Sequence, residues 1–476
     1  MDIKEIIGSA NTIDQKINEL KKRTVHVPLW STLLKTYETS NHKVLTDTLS
    51  LKDKENGEKS SRIAIGLEKL LVNRVNQFTF AIPVKREYNT PSNEVQSDII
   101  RAIEKIYENA HIDSMNYKRG KAYYAACEIF TIWYTVKREN TIYGFPCKYK
   151  LKCKTYSPMD GVRLYPIIDE LDDMIAMSFE YEKKISDTTT ITFFETFTAD
   201  RHFVWKKDNQ GNTWEETTAQ VNDDGTIESG ENIIINKIPG VYLWRPTPVY
   251  DGLERIRHEL EYNLSRNGNV IAYNAAPIVK VKGGLVGNEK KGESNRIWRV
   301  ESDGDISYVS WNQSQEAVNN LNNTLLKLYW MLSQMPDISF DNMKGLGNIG
   351  YDARQTLLTD ARMKINEESG LWKECFEREF NVIKAFLKQM NQSWANEIDN
   401  ITCKHIITPY VPEDENNSIN VRMKANGGLP VESQLESIVK LGQSKNPIST
   451  LEEIRKDQAA TALAQQVAFN FGEQTI

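Results

Sequence analysis

The chain is short of cysteine. Five residues, Cys127, Cys147, Cys153, Cys375 and Cys403, are spread over 476 positions without a CxxC pair. That excludes a disulfide-built scaffold and a paired-cysteine zinc site. Cys147 and Cys153 share one face of a strand-like run, CKYKLKC, but no second ligand pair follows, so buried thiols are the plainer reading. Histidine is also sparse: the six residues His26, His42, His111, His202, His258 and His405 form neither HExxH nor HxH. No GxSxG elbow and no P-loop is present, which removes the common hydrolase and NTPase signatures. Positive charge is not in excess either. Lys and Arg number 59 against 65 Asp and Glu, a net charge of −6. A protein that grips nucleic acid through bulk positive charge is therefore disfavoured, although a local basic site is not. No apolar run reaches the ~20 residues that span a bilayer. The first residues, MDIKEIIGSA, lack a basic stretch leading into an apolar one, so a soluble, intracellular product is expected.

What is present is the mixture of a globular protein: 40% hydrophobic and 26% charged residues. The length corresponds to about three domains. Residues 1–61 are polar and read as an arm with a short helix over Ile13–Lys22. Helical spacing of apolar residues follows at 62–80, 96–109 and 114–127. From 128 the period changes. IFTIWYTVKR, CKYKLKCKTYS, MIAMSFEYEKK, TTTITFFETFT and HFVWKKD read as strands of an antiparallel, hairpin-built region.

A helix over about 250–275 places Leu253, Ile256, Leu260, Leu264 and Ile271 on one stripe interrupted by Asn267. IVKVKG, NRIWRV and ISYVSW then predict a small β excursion. A second helix near 315–334 carries Leu321, Leu325, Leu328 and Leu332 at helical spacing. A long helical pattern covers 352–391 with Gly370 inside it, and ITCKHIITPYV reads as a returning strand. Short helices are expected near 431–442 and 449–468.

Between the second and the long helix, Gly345-Leu346-Gly347-Asn348-Ile349-Gly350 spells GxGxxG. The dinucleotide fingerprint requires a buried strand before it and a helix after it within a βαβ unit. Here the preceding stretch is helical and stops at Pro336. A nucleotide-binding enzyme is therefore the remote alternative, and a glycine-rich loop between helices the plainer reading.

The blocks YLWRPTPVYDGLE, LEYNLSRNGNVIAYNAAPIVKVKG and VSWNQSQEAVNNLNNTLLKLYWMLSQMPDISFDNMKGLGNIGYDARQTLLTDARMKI, in this order, resemble the portal proteins of tailed bacteriophages, in particular the SPP1-type siphophage group. The resemblance implies an α+β portal fold. It divides the chain into an arm (1–61), an α/β wing (62–248), a stem helix (249–276), a small β-containing clip (277–312) and a second stem helix (313–336). A tunnel loop (337–350), a long bent helix with a returning wing strand (351–411) and a helical crown (412–476) complete it. It further implies a non-enzymatic ring, usually a dodecamer, at one capsid vertex, with no cofactor and no membrane partner. Double-stranded DNA would pass through it during packaging and ejection, independently of sequence. The terminase motor, then a head–tail adaptor, would dock on it, and major capsid and scaffolding proteins would surround it. The protein would reside in the virion and, during assembly, in the host cytoplasm. A different structural assembly protein, an adaptor or a minor capsid component, is the nearer alternative, although adaptors are normally much shorter.

Site expectations follow from these segments. In the stem, Glu254, Arg255, Arg257, Glu261 and Arg266 are candidates for charge pairing between neighbouring subunits, with a solvated helix face as the bland alternative. In the loop, Asp341, Asn342, Lys344, Gly345, Gly347 and Asn348 are candidate DNA-facing residues, Lys344 and Asn348 making weak phosphate contacts. Plain conformational freedom of the glycines accounts for the same composition equally well. In the clip, Lys290, Lys291, Trp298 and Arg299 are candidate interface residues, and Trp311 is expected in the core of the β module.

Overall fold

The computed structural model describes residues 3–8, 11–53, 59–208, 211, 213–221, 227–274, 278–282, 285–291, 295–300, 305–309, 315–337, 356, 358–409, 423–424, 433–441 and 447–472. The chain is α+β and divides into two units: Met1–Lys344 with Leu357–Tyr410, and Gly345–Thr356 with Val411–Ile476. No helix among the described residues is long and apolar enough to cross a membrane.

Helices α1 (Ile3–Ile7), α2 (Ile13–Leu20), α3 (Trp30–Tyr37), α4 (Lys43–Thr46) and α5 (Leu67–Phe80) lead to strand β1 (Lys85–Tyr88). Helices α6 (Glu94–Ala110) and α7 (Ile112–Ala126) follow. The β region comprises β2 (Glu128–Asn140), β3 (Cys147–Tyr156), β4 (Arg163–Ile168), β5 (Met174–Lys184), β6 (Thr190–Phe197) and β7 (Arg201–Asp208). Short strands β8 (Glu215–Glu216), β9 (Gln220–Val221), β10 (Ile227–Glu228) and β11 (Glu231–Asn232) precede β12 (Gly240–Trp244). Next come α8 (Glu254–Asn274), then β13 (Ile278–Lys282), β14 (Leu285–Lys291), β15 (Asn295–Val300) and β16 (Asp305–Val309), then α9 (Gln315–Leu332). The first unit ends with α10 (Thr359–Met390) and β17 (Cys403–Ile406). In the second unit, α11 (Gln434–Leu441) packs against α12 (Pro447–Gly472).

Sheet order explains the layering. One antiparallel sheet runs β11-β7-β6-β5-β4, with β8 beside β7; a second runs β12-β2-β3; β17 returns to pair with β1. The side-chain period of two assigns the faces of the first sheet. Leu164, Met177, Phe179 and Phe197 meet Phe130 and Ile132 of β2 in one core, whereas Ile167, Ala176, Phe194, Phe203 and Trp205 form another with Ile6, Ile17 and Leu20. The amino-terminal segment therefore covers a sheet face as part of the body. Its helix α2 opens with a reciprocal cap, Thr12 to the Gln15 N–H and the Gln15 side chain to the Thr12 N–H. Strand β2 is buried on both faces along its first half, because its odd residues Ile129 and Trp133 face the helices.

Two further cores are helical. Leu71, Val75, Tyr124, Leu260, Tyr329 and Trp372 join α5, α7, α8, α9 and α10. Ile103, Ile106, Leu151, Phe380, Ile383 and Leu387 join α6, β3 and the second half of α10. Helix α10 runs through Gly370, whose missing Cβ would meet nothing within 4 Å. Cys147 and Cys153 lie in or against the second helical core, with the Cys153 Sγ 3.3 Å from the Met115 Sδ.

His405 of β17 is buried against Phe376 and Phe380. Burial pulls its imidazole down to about 4, against the attraction of Glu379. Because the folded value lies below the unfolded one, the folded chain binds fewer protons, so this stability is present above about pH 6.5 and lost as pH falls toward about 4. Denaturation at several pH values should show the difference between the wild type and His405→Gln shrinking by roughly 3 kcal/mol across that window. The comparison with the variant is needed because burial pushes Glu68 up to about 7, which changes stability in the opposite sense over an overlapping range. A pH-independent difference would refute this assignment.

Candidate functional site

The segment of interest is the helix pair α8 and α9 with the β excursion between them. The helices pack on one another. The excursion consists of two antiparallel ladders, β13 with β16 (Ile278 opposite Val309) and the hairpin β14 with β15. Lys290 and Lys291 stand opposite Arg296 and Asn295, and Trp298 and Arg299 opposite Asn288 and Gly287. The four clip candidates thus sit on one two-stranded ladder. Strand β14 was not apparent from sequence: LVGNEKK has no alternation, and its register shifts between Leu285 and Gly287. Trp311 and the whole set Asp341, Asn342, Lys344, Gly345, Gly347 and Asn348 lie outside the described residues.

Helix α8 is tied to the body along one face. Leu253 and Leu260 are buried, with Ile256 and Leu264 packed beside them, while Ile271 is exposed. Beside this stripe runs a polar row. Residues 61–65 are extended along the helix, and their alternate N–H groups donate to it. Ser61 N–H meets Asn269 Oδ1 at 2.5 Å, Ile63 N–H meets Ser265 Oγ at 2.9 Å and Ile65 N–H meets Glu261 Oε1 at 2.8 Å. The match is geometric: two residues of extended chain advance ~6.6 Å, and four residues of helix ~6 Å. Gly268 permits the approach, since a Cβ there would lie 3.0 Å from the Ser61 Oγ.

The row begins in a buried charge cluster. Arg257 donates from Nε to Glu68 Oε1 at 2.5 Å and from a terminal nitrogen to Glu261 Oε2 at 2.5 Å. His42 places Nδ1 2.6 Å from Glu261 Oε1 and Nε2 2.9 Å from the Thr36 carbonyl oxygen, so both ring nitrogens face acceptors. Burial raises Glu68 to about 7 although Arg257 opposes it, and its Oε2 has no hydrogen-bond partner among the described residues.

This corrects the reading of the stem charges. Arg257 and Glu261 are buried and spent within the chain, so they are not available to neighbouring subunits. Glu254 is half-buried, and Arg255 and Arg266 are exposed, the Arg266 guanidinium standing 5.7 Å from the Tyr262 ring. The polar row at 261, 265 and 269 has the i, i+4, i+8 spacing that could have revealed it. What sequence alone withholds is the strap that satisfies it, nearly two hundred residues earlier.

Helix α9 is asymmetric in another way. Tyr329 and Trp330 are buried and Leu325 packs beside them, but Leu321, Leu328, Met331 and Leu332 remain 50%, 36%, 64% and 57% exposed. Its C-terminal end is clamped. Arg74 donates to the Pro336 carbonyl oxygen at 2.8 Å, reaches Asp337 at 3.6 Å and lies 3.9 Å from the Trp330 ring. Lys364 donates to the Ser333 carbonyl oxygen at 2.7 Å, and burial pulls its amine down to about 8. The chain therefore enters the glycine loop from a fixed point.

The described part of this segment thus combines a polar, strapped helix, a helix with an exposed apolar face and a β excursion between them. Among known families, residues 20–462 match the phage portal proteins of the SPP1 Gp6-like type, while no curated protein matches the chain. The chain belongs to the SPP1 Gp6-like family of phage portal proteins, structural proteins of the bacteriophage head–tail connector.

Proposed function

We propose that copies of this chain form a ring at one capsid vertex through which double-stranded DNA is packaged and later ejected. Family membership implies an oligomeric ring in contact with packaging and capsid proteins. The observation that carries the reading is the uncovered apolar face of α9. Four large apolar side chains facing water on one helix mark a surface that another molecule covers, and in a ring that molecule is the next copy. The excursion β13–β16, joining α8 to α9, is the clip in this reading. It receives the terminase motor and then the head–tail adaptor, with Lys290, Lys291, Trp298 and Arg299 in the contact. The loop after the clamp at Pro336 narrows the channel, and Lys344 and Asn348 touch phosphates there without regard to sequence.

The test is assembly. Met331→Glu/Leu332→Glu exchanges two apolar side chains for charges at positions 64% and 57% exposed, which contribute little to the fold of the single chain. Burying a leucine is worth about 1.5–3 kcal/mol, so the variant should keep its unfolding midpoint while losing rings. Native mass spectrometry and negative-stain images read this directly. Wild-type chain that forms no ring would remove the portal reading, and undiminished rings in the variant would remove this face from the interface.

A further inference from the structure

Strand β3 carries Lys148, Lys150, Lys152 and Lys154 at every second position, on the face opposite its buried Leu151 and Cys147. The period of two spaces them ~6.6 Å apart, a row about 20 Å long. Tyr134 of β2 lies directly across from Lys152 and is 38% exposed. Lys154 stands over the Tyr156 ring at 4.4 Å, and burial raises the Asp160 carboxyl although Lys154 opposes it. Lys148, Lys150 and Lys152 have no ion pair among the described residues. In a chain of net charge −6, such a row is a local inversion of sign.

Its complement is on the same chain. The β4–β5 turn reads Asp169-Glu170-Leu171-Asp172-Asp173, and Leu171 projects at 83% exposure. The turn is built rather than loose. Asp169 Oδ1 accepts the N–H groups of Leu171 at 2.9 Å and Asp173 at 2.8 Å, and the Asp169 N–H donates to the Asp173 carbonyl oxygen at 2.9 Å. Glu170, Asp172 and Asp173 are exposed and have no ion pair among the described residues. The turn borders a cavity of about 860 Å³ that runs beside β12. The turn belongs to the sheet β11-β7-β6-β5-β4 but lines this cavity together with β12, and in the order β12-β2-β3 the strand β12 and the lysine-bearing β3 are opposite edges.

A ring needs two different patches on each copy, one for each neighbour. An acidic turn beside the β12 edge and a basic row on the β3 edge supply such a pair. We propose that the β4–β5 turn of one copy docks on the lysine face of β3 of the next, with its acidic side chains against Lys148, Lys150 and Lys152 and Leu171 against Tyr134. The proposal rests on the ring reading above and names a contact within it. A phosphate backbone would also suit the lysines, but the matching carboxylates, held in a hydrogen-bonded turn on the same chain, favour a second copy.

Three full-length variants test it: Lys150→Glu/Lys152→Glu, Asp172→Lys/Asp173→Lys, and the four changes together. All sites are at the surface or half-buried, and unfolding curves check that each variant folds. Each reversal alone should lower the ring population at least about tenfold, equivalent to about 1.4 kcal/mol, and the combined variant should restore it. A photo-crosslinking amino acid in place of Leu171 should give inter-subunit products containing Tyr134 or residues 147–156. Rings that survive both reversals, or that the combined variant fails to restore, would overturn the contact while leaving the ring itself standing. So would a lysine variant that forms normal rings but loses binding to a short DNA duplex. Absence of rings in the wild type would instead overturn the reading on which the contact rests.

Discussion

Arg257→Ala should cost about 3–5 kcal/mol of unfolding free energy, the range for removing one partner of a buried ion pair. The reason is what remains. Arg257 is the shared cation of Glu68 and Glu261, and all three are buried. Truncation leaves Glu68 and Glu261 without their shared donor in a low-dielectric site, so a buried carboxylate must stay uncompensated or take up a proton, and either outcome is costly. Glu261→Gln is the milder change. It removes the charge but keeps an oxygen that can accept from the Ile65 N–H, so its loss should be about half as large. Arg255→Ala, two positions away on the exposed face, should stay within about 0.5 kcal/mol. Urea denaturation of the three variants measures the contrast. If Arg257→Ala lost no more than Arg255→Ala, the cluster would not exist as described.

The effect should also have a direction. Ile65, which donates to Glu261, ends the strap over residues 61–65, and Glu68, which accepts from Arg257, follows three residues later. Loss of Arg257 should therefore loosen that strap first. Hydrogen exchange at Ser61, Ile63 and Ile65 should accelerate before exchange at the core of α5 does.

The sequence made the α+β class and the order of elements readable because the periodicities were long and unbroken. The alternation in β2, β3, β5 and β6, and the helical stripes at 253–264 and across α10, needed no tertiary information. The short strand β14 was hidden because glycine and charge erase alternation in a seven-residue segment. Side-chain destinations were less legible than elements. Arg257 and Glu261 form an i, i+4 pair on a charged helix, and that pattern is the same whether the pair faces water or a core. Their burial is decided by His42 and Glu68, more than 180 positions away. The stripe on α9 erred in the other direction: Leu321, Leu328 and Leu332 have the spacing of a core face, but Tyr329 and Trp330 take the core instead. The lysines of β3 were visible as letters. That an acidic turn lies beside β12, the edge strand opposite β3, is read only from the fold.

Arg119 and Glu379 hold the second large effect, and it should appear as a failure of additivity. Two guanidinium nitrogens of Arg119 meet the two carboxylate oxygens of Glu379 at 2.5 and 2.8 Å, and both side chains are buried. The Nε of Arg119 donates to Asn116 at 3.0 Å, and the Trp133 ring N–H donates to Glu379 at 3.4 Å. The guanidinium also lies 5.4 Å from the Phe376 ring and 5.7 Å from the Trp372 ring. The pair joins α7 to α10 through the middle of the body. Arg119→Met alone strands a buried carboxylate, and Glu379→Met alone strands a buried guanidinium, so each should lose about 3–5 kcal/mol. The double variant strands neither charge. It retains apolar volume beside Trp372 and Phe376 and takes a partner from neutral groups instead, the Asn116 oxygen, the Thr131 hydroxyl and the Trp133 N–H. Its loss should therefore be smaller than that of either single change, about 2 kcal/mol. A double variant as unstable as the sum of the singles would show that the two side chains act independently. A double variant close to the wild type would show that the pair contributes little net stability.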